Sequence, residues 1–194
     1  QKYQIDGQLK YQSFTDVEKA KRYIEQLHGN VVLKPVGLTG GKGVKVAGDH
    51  FTHLAGALEY IDLIFEEKIG GKAKVVIEEK AEGEEFTVQG CTDGKTIKTL
   101  PAVQDHKRLE PGDNGPNTGG MGSYSNKDGL LPFLSQKDYD AAVYILKEII
   151  TALSHEDCAY IGPIYGQFML TSEGPKVIEI NARFGDPEAM NVLP

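Results

Sequence analysis

Cysteine is scarce: Cys91 and Cys158 are the only two in the chain. They have neither metal-ligand spacing nor the density of a disulfide scaffold, which excludes a thiolate zinc site and a stapled secreted domain and fits free thiols in a reducing compartment. Long apolar runs are missing as well. No stretch approaches the roughly 18 residues of a membrane span, and no signal-peptide pattern is present, so a cytoplasmic protein with no membrane partner is expected. Positive charge is also in deficit. Lys and Arg number 21 against 28 Asp and Glu, a formal net charge of -7, and no basic cluster offsets it. That excludes a general nucleic-acid binder. A phosphate partner would be small and recognised locally by a few lysines and backbone amides, which favours a nucleotide. The five histidines show no metal-ligand or triad spacing, and His106, alone in a polar stretch, is not assigned as a base.

What is present is ample for a core: 194 residues with 40% hydrophobic content suffice for one sizeable domain or two small lobes. The start at Gln1 and the stop at Pro194 lead to the expectation of a domain cut from something longer. Residues 15–27 predict a helix opened by a Thr15/Glu18 capping box, with Val17, Ala20, Ile24 and Leu27 on one face. The apolar run Val31-Val32-Leu33 predicts a strand, followed by Lys34, a glycine-rich loop over 37–43 and a short strand over 44–47. Leu54, Leu58, Ile61 and Phe65 predict a second amphipathic helix before a strand over 74–78. The first eighty residues thus read as one small α+β lobe, 1–80.

The lobe over 81–194 is richer in strands, predicted at 85–90, 96–103, 164–170 and 176–180, with a turn at Ser172-Glu173-Gly174. A Ser135/Asp138 capping box opens a helix carrying Tyr139, Ala142, Val143, Leu146, Ile149, Ile150 and Leu153 inward. Residues 104–128 read as a long glycine-containing loop without periodicity, too specific in composition for a plain linker.

The loop Leu38-Thr39-Gly40-Gly41-Lys42-Gly43 joins strand to strand, so it is not a Walker loop, which leads into a helix. Gly40, Gly41 and Gly43 allow backbone N–H groups close to phosphate oxygens, with Lys34 and Lys42 adding charge. A plain glycine-rich hairpin is an equal reading. The segment from Glu78 and Glu79 through Ala81 to Glu85 can read adenine through its backbone and ribose through Glu85, or form a solvated hairpin tip, which composition alone favours. Glu179-Ile180-Asn181 is sharper. Alternation puts Glu179 and Asn181 on one face while Ile180 points into the core. Gln167, on the neighbouring strand, offers a third oxygen, a set suited to magnesium. A strand-end cap is the alternative. Arg183 nearby favours the metal reading, since a guanidinium can stabilise charge on a transferring phosphoryl group.

Taken together, Gly115-Pro116-Asn117-Thr118-Gly119-Gly120-Met121-Gly122, Gln104-Asp105-His106-Lys107-Arg108 and the run from Glu179 to Glu188 resemble the phosphoribosylamine–glycine ligase family of the ATP-grasp superfamily. The Lys34 strand, the glycine loop and the 78–85 hinge are similar to that family in the same order, so the resemblance covers nearly the whole chain.

The resemblance implies an α+β ATP-grasp fold, two lobes holding ATP between them. It implies coupling of glycine to 5-phosphoribosylamine through a glycyl phosphate, with ATP converted to ADP and phosphate. Lys34, Gly40, Gly41, Lys42 and Gly43 would lie at the phosphates, Glu78, Glu79 and Ala81 at adenine, and Glu85 at the ribose. Gln167, Glu179 and Asn181 would hold Mg2+ or Mn2+, with Arg183 and Lys42 as the catalytic cations. Asn117, Thr118, Gly119, Gly120, Asp186, Pro187 and Glu188 would line the amine and glycine sites. Many members read Lys-Ala-Asp-Gly-Leu where this chain has Lys34-Pro35-Val36-Gly37-Leu38, so that aspartate has no counterpart and the loop hinge is stiffer. The family's flanking amino- and carboxy-terminal domains are not in this sequence, so contacts with them are expected and the piece alone would turn over little. A sister ligase with another acid and amine, and a non-catalytic ATP-binding module, are the competing readings.

Overall fold

A computed structural model of the chain describes residues 2–39, 43–112 and 114–193. The chain divides into two compact units, Leu9–Ala81 and a larger one made of Glu82–Pro194 together with Gln1–Gln8. The start of the chain therefore departs from the expected 1–80 lobe: it packs on the larger unit, where the Val177 N–H donates to the Gly7 carbonyl at 2.8 Å.

The smaller unit contains β1 (Tyr11–Phe14), α1 (Val17–Gln26), β2 (Val31–Pro35), β3 (Lys45–Val46), α2 (Leu54–Glu67), a 3-10 turn at Ile69–Gly71 and β4 (Val75–Glu79). Its strands form one antiparallel sheet in the order β1-β4-β2-β3. Alternation builds the core: Val31, Leu33, Val75 and Ile77 turn inward against Ala20, Ile24, Ala57, Ile61 and Ile64 of the helices. Val32, Lys34, Val76 and Glu78, the residues between, fall on the other face.

Two expectations for this unit shift. Helix α1 is capped by Asp16, whose carboxylate accepts the Lys19 N–H at 2.9 Å, not by Thr15. A carboxylate is a better acceptor for that orphan donor and suits the positive helix end. The buried stripe of α2 is Ala57, Ile61 and Ile64, while Leu54 in the first turn is exposed. Strand β1 was not anticipated.

In the larger unit β5 (Glu84–Thr92), β6 (Ile97–Thr99), β11 (Gly162–Thr171) and β12 (Gly174–Asn181) form an antiparallel sheet in the order β12-β11-β5-β6. The predicted strand over 96–103 is cut to β6, since Pro101 has no N–H to continue a ladder. Val103 regains a single bridge to Thr87. Helix α3 (Gln136–His155) is capped by Ser135, which accepts from the Asp138 N–H at 3.2 Å, and it buries Ala142, Ile145, Leu146 and Ile150. These pack with Phe86, Val88, Ile164 and Phe168, the two phenylalanine rings stacked at 5.4 Å.

The stretch over 104–128, read as loop, instead folds into two small ribbons. Strand β7 (Gln104–Asp105) pairs with β10 (Ser123–Tyr124), and β8 (Arg108–Glu110) pairs with β9 (Asn114–Asn117). A short helix, α4 (Ala189–Val192), closes the described chain. Ile180, expected in the core, is 37% exposed. It stands on the edge strand opposite Gly166, which offers no side chain to pack against.

Candidate functional site

In the smaller unit, Lys34 and Glu78 project from the helix-free face of neighbouring strands, since Lys34 pairs in register with Val76 and Val32 with Glu78. Their side chains meet, with Lys34 Nζ 2.6 Å from Glu78 Oε2. Gly40, Gly41 and Lys42 lie outside the described residues. The two ends of their loop are well held. Gly37 runs so close to Gly70 that an added Cβ would fall 1.8 Å from the Gly70 carbonyl oxygen. The Gly43 carbonyl accepts the Tyr60 hydroxyl at 2.7 Å. Burial pushes that phenol's pKa up. The Glu79 N–H donates to the Lys10 carbonyl at 2.9 Å and the Lys80 N–H to the Asn30 carbonyl at 3.4 Å. Two of the backbone donors expected at adenine are therefore engaged within the unit.

In the larger unit the register sets Gln167 directly opposite Glu179, and Tyr165 opposite both Asn181 and Gln89. Residues opposite each other share a face, so Gln89, Tyr165, Gln167, Glu179 and Asn181 form one polar surface, away from α3. Hydrogen bonds then orient the amides. Gln167 Nε2 donates to Glu85 Oε2 at 2.7 Å, and Asn181 Nδ2 donates to Glu179 Oε1 at 2.9 Å. With both amide nitrogens engaged, Gln167 Oε1, Asn181 Oδ1 and Glu179 Oε2 are the oxygens left to offer a cation. Among the described residues no group of three His, Cys, Asp or Glu could hold a metal. This mixed amide and carboxylate set instead suits Mg2+, which takes few protein ligands and completes its shell with water and phosphate.

Glu85, expected at a ribose, also receives Lys107 Nζ at 3.3 Å. It thus fixes Gln167 and gathers a cation as well. Arg183 is exposed; its guanidinium lies 5.9 Å above the Tyr165 ring and donates to the Phe184 carbonyl at 2.9 Å. The polar surface is thereby extended by one cation beside Asn181.

The three sequence motifs converge within this unit. Thr118 Oγ1 donates to the Lys107 carbonyl at 2.9 Å and accepts the Gly120 N–H at 3.1 Å. A Cβ on Gly120, whose φ is +125°, would sit 2.9 Å from Pro187 Cδ and 3.4 Å from Asp105 Oδ1. Asn117 ends β9 opposite Arg108, Gly119 has open space around it, and Asp186 is exposed. Glu188 is 2% exposed and accepts the Tyr165 hydroxyl at 2.8 Å. Gln89 is fully buried, and its Oε1 accepts the Gly185 N–H at 2.6 Å.

Asp105, Gln89 and Tyr165 were not assigned roles from sequence. For Gln89 and Tyr165 the signal lies in alternation, since 85, 87 and 89 share one face of β5 as 165 and 167 share one face of β11; for Asp105 no local pattern carries it. Burial first, and then the nearby Glu188 charge, raise the Asp105 pKa to about 6. The same causes hold the Tyr165 phenol far above its ordinary range, so it stays a donor. His106 is exposed and stacks on Tyr124 with centroids 5.7 Å apart.

The profile of the family described as "Phosphoribosylglycinamide synthetase, ATP-grasp (A) domain" matches residues 1–189. A phosphoribosylamine–glycine ligase from Methanothermobacter thermautotrophicus is 55% identical over 192 residues, which is 99% of this chain and 44% of that protein. The chain thus spans less than half the length of this relative. A solved structure of phosphoribosylamine–glycine ligase from Thermotoga maritima superposes with a TM-score of 0.80 at 32% identity, covering 96% of this chain and 46% of that one. The structure of a D-alanyl-alanine synthetase from Vibrio cholerae superposes with a TM-score of 0.67 at 15% identity over 92% of this chain and 51% of its own, a likeness of fold alone.

Proposed function

Since the chain belongs to the phosphoribosylglycinamide synthetase ATP-grasp domain family, we propose that it is the nucleotide-handling part of an enzyme that ligates glycine to 5-phosphoribosylamine. The observation that carries this reading is the cluster of Gln167, Glu179 and Asn181, its amides pre-oriented and Arg183 alongside. It supports a metal-assisted phosphoryl transfer more than simple nucleotide storage, because a module that only stores nucleotide has no need of a cation beside the metal ligands.

In the proposed reaction a glycine carboxylate oxygen attacks the γ-phosphorus of ATP, and the bond to the β-bridging oxygen breaks to release ADP. The amine nitrogen of phosphoribosylamine then attacks the carbonyl carbon of the glycyl phosphate. Phosphate leaves with the C–O bond electrons, and the nitrogen gives up a proton, completing the amide. Bound at the three oxygens, Mg2+ or Mn2+ would supply Lewis-acid neutralisation of phosphate charge. Arg183 would meet charge growing on the transferred phosphoryl group. Lys34, and Lys42 of the loop, would bind phosphate oxygens, Glu85 would hold Gln167 in line, and Thr118, Gly119 and Gly120 would border the acceptor substrates. The remaining domains of the full-length protein would complete those sites.

Cytoplasmic residence follows from the same reading; among the described residues, no helix is long and apolar enough to cross a membrane. The test is ADP formation by the full-length protein with Mg-ATP. Release should require glycine and phosphoribosylamine together, and ADP formed without either one would overturn the assignment. A screen of other amino acids and amines separates this reading from a sister ligase.

A further inference from the structure

Helix α2 does more in the smaller unit than cover the sheet. Ala57, Ile61 and Ile64 seat it on the core, and the helix, with the 3-10 turn that follows it, meets both ends of the glycine-rich loop. At the entrance, Gly37 lies against Gly70, where its added Cβ would fall 1.8 Å from the carbonyl oxygen, and the Val36 N–H donates to the Lys74 carbonyl at 2.9 Å. At the exit, the Gly43 carbonyl accepts the Tyr60 hydroxyl at 2.7 Å. The two ends also touch each other, since a Cβ on Gly43 would sit 2.8 Å from Thr39 Cβ. Tyr60 is itself placed from two sides: it packs on the core cluster, and Lys45 Nζ lies 5.7 Å from its ring centroid. Burial raises its pKa, so the phenol stays protonated and remains a donor.

That one hydrogen bond orients a peptide unit. In a planar trans peptide the carbonyl and the following N–H point in opposite directions. With the Gly43 carbonyl turned to Tyr60, the Val44 N–H faces away from α2. Strand β3 runs against β2 with Val46 opposite Val32 and Lys45 opposite Leu33, so the next step of that register leads to Val44 and Lys34. Lys34 stands on the helix-free face, beyond the reach of α2. The hydroxyl thus turns a backbone donor toward the side on which Lys34 carries its charge, and an N–H beside an ammonium is a pairing that suits phosphate oxygens. Gly43 is buried. Stripped of the hydroxyl, its carbonyl is left short of a donor, and rotation of the peptide between 43 and 44 relieves the deficit. Glycine offers little resistance to such a rotation.

We infer that Tyr60 is a positioning residue for the nucleotide: through the Gly43 carbonyl it fixes the orientation of the backbone that meets phosphate next to Lys34. The inference rests on the ligase reading, in which this unit binds the phosphates of ATP, and adds to it a residue outside the glycine-rich motif. Tyr60 acts through the peptide and not on the phosphate itself. Tying α2 to the sheet is not its purpose, because Ala57, Ile61 and Ile64 already do so with fully buried side chains.

The experiment is steady-state kinetics of the full-length protein and its Tyr60→Phe variant, varying Mg-ATP and glycine in turn, with adenosine as a competitor of Mg-ATP. Tyr60→Phe keeps the ring and its packing and removes only the donor. The KM for Mg-ATP should rise roughly 3- to 10-fold, as expected for one neutral hydrogen bond, while the glycine KM and the Ki of adenosine, which has no phosphate, stay within about twofold. A merely structural role would lower the active fraction, so that kcat alone falls and every KM holds, and that result overturns the inference. So does an unchanged Mg-ATP KM, or adenosine weakened as much as Mg-ATP. Lys34→Met separates the inference from the reading beneath it. If that variant leaves the Mg-ATP KM where it was, the phosphate-binding reading falls and takes this inference with it. If Lys34→Met raises the KM and Tyr60→Phe does not, the inference falls alone.

Discussion

The helix-free faces of the two sheets carry polar side chains on the same strand alternation but satisfy them differently. On the smaller unit's sheet Lys34 and Glu78 neutralise one another at 2.6 Å. On the larger unit's sheet Gln167 and Asn181 have their nitrogens bonded and their oxygens free, while Gln89 Nε2 and nearby Asp105 Oδ1 have no partner among the described residues. A paired face is complete without a ligand. A face with buried groups left over is preorganised for one, and keeps that cost until the ligand arrives. The larger unit is therefore where substitutions should separate function from stability.

The largest such separation is expected at Asn181 and Glu179. In the full-length protein, Asn181→Ala or Glu179→Ala should lower kcat by roughly 10²–10³, the loss seen when one preorganised charge-stabilising group is removed. Stability should hardly move, because Glu179 is exposed and the pair's hydrogen bond is at the surface. ADP release together with urea unfolding checks both halves, and unchanged kcat would remove the metal assignment. One residue along β11 the pattern reverses. Phe168→Ala empties the stack on Phe86 and should cost about 3–5 kcal/mol of stability, measured as a lower urea midpoint. Gln167→Ala, its neighbour on the other face, should chiefly lower kcat. If the two variants behaved alike, the distinction between the faces of this sheet would be void.

Alternation made much of this legible in advance. Glu179 and Asn181 share a face because they are two apart, and Gln167 does lie across from Glu179. The helices are legible too, from apolar spacing and capping residues, although Asp16 outcompetes Thr15 as the cap of α1. Other features depend on tertiary context that no local pattern carries. The ribbons β7/β10 and β8/β9 are built from short polar strands, too brief to show a period of two. Asp105 reads as an ordinary polar residue until burial and Glu188 are known. Ile180 has the right alternation for the core, yet it stands on an edge strand opposite a glycine.

A smaller effect sharpens the comparison through pH. The Asp105 carboxyl has a folded-state pKa of about 6, above that of the unfolded chain at roughly 3.9. The folded state then binds the proton more readily, so stability falls as pH rises from about 4 through 6 and stays lower above it. Burial raises this pKa most, Glu188 and Glu85 add to it, and Lys107 and His106 oppose them. Asp105→Asn removes the charge, so at pH 8 the variant should be more stable, by roughly 1–2 kcal/mol after allowing for partial solvent screening. The advantage should fade as pH drops from about 6 to about 4, over which the Asp105 carboxyl of the folded parent protein takes up its proton. Thermal unfolding across pH checks this. A variant less stable than the parent at pH 8 would mean that Asp105 has a structural partner in solution, and that the two faces are alike after all.

The least change is expected on the paired face. Lys34 and Glu78 are partly buried, with side chains 26% and 18% exposed, and such a pair contributes little net because desolvation offsets its attraction. A double-mutant cycle of Lys34→Met and Glu78→Gln should give a coupling of roughly 0.5–1 kcal/mol. Ligand response is where the lysine should matter. A ligand at about 100 times its dissociation constant adds roughly 2.7 kcal/mol, and in the full-length protein Lys34→Met should lose most of that thermal shift with Mg-ATP. Glu78→Gln provides the control on the pair itself. It frees Lys34 from an anion without removing the cation, so a shift lost in Lys34→Met but kept in Glu78→Gln assigns the phosphate contact to the lysine. Loss in both would mean the pair acts as one unit, and that the smaller unit's face, though internally satisfied, is organised for its ligand no less than the larger unit's.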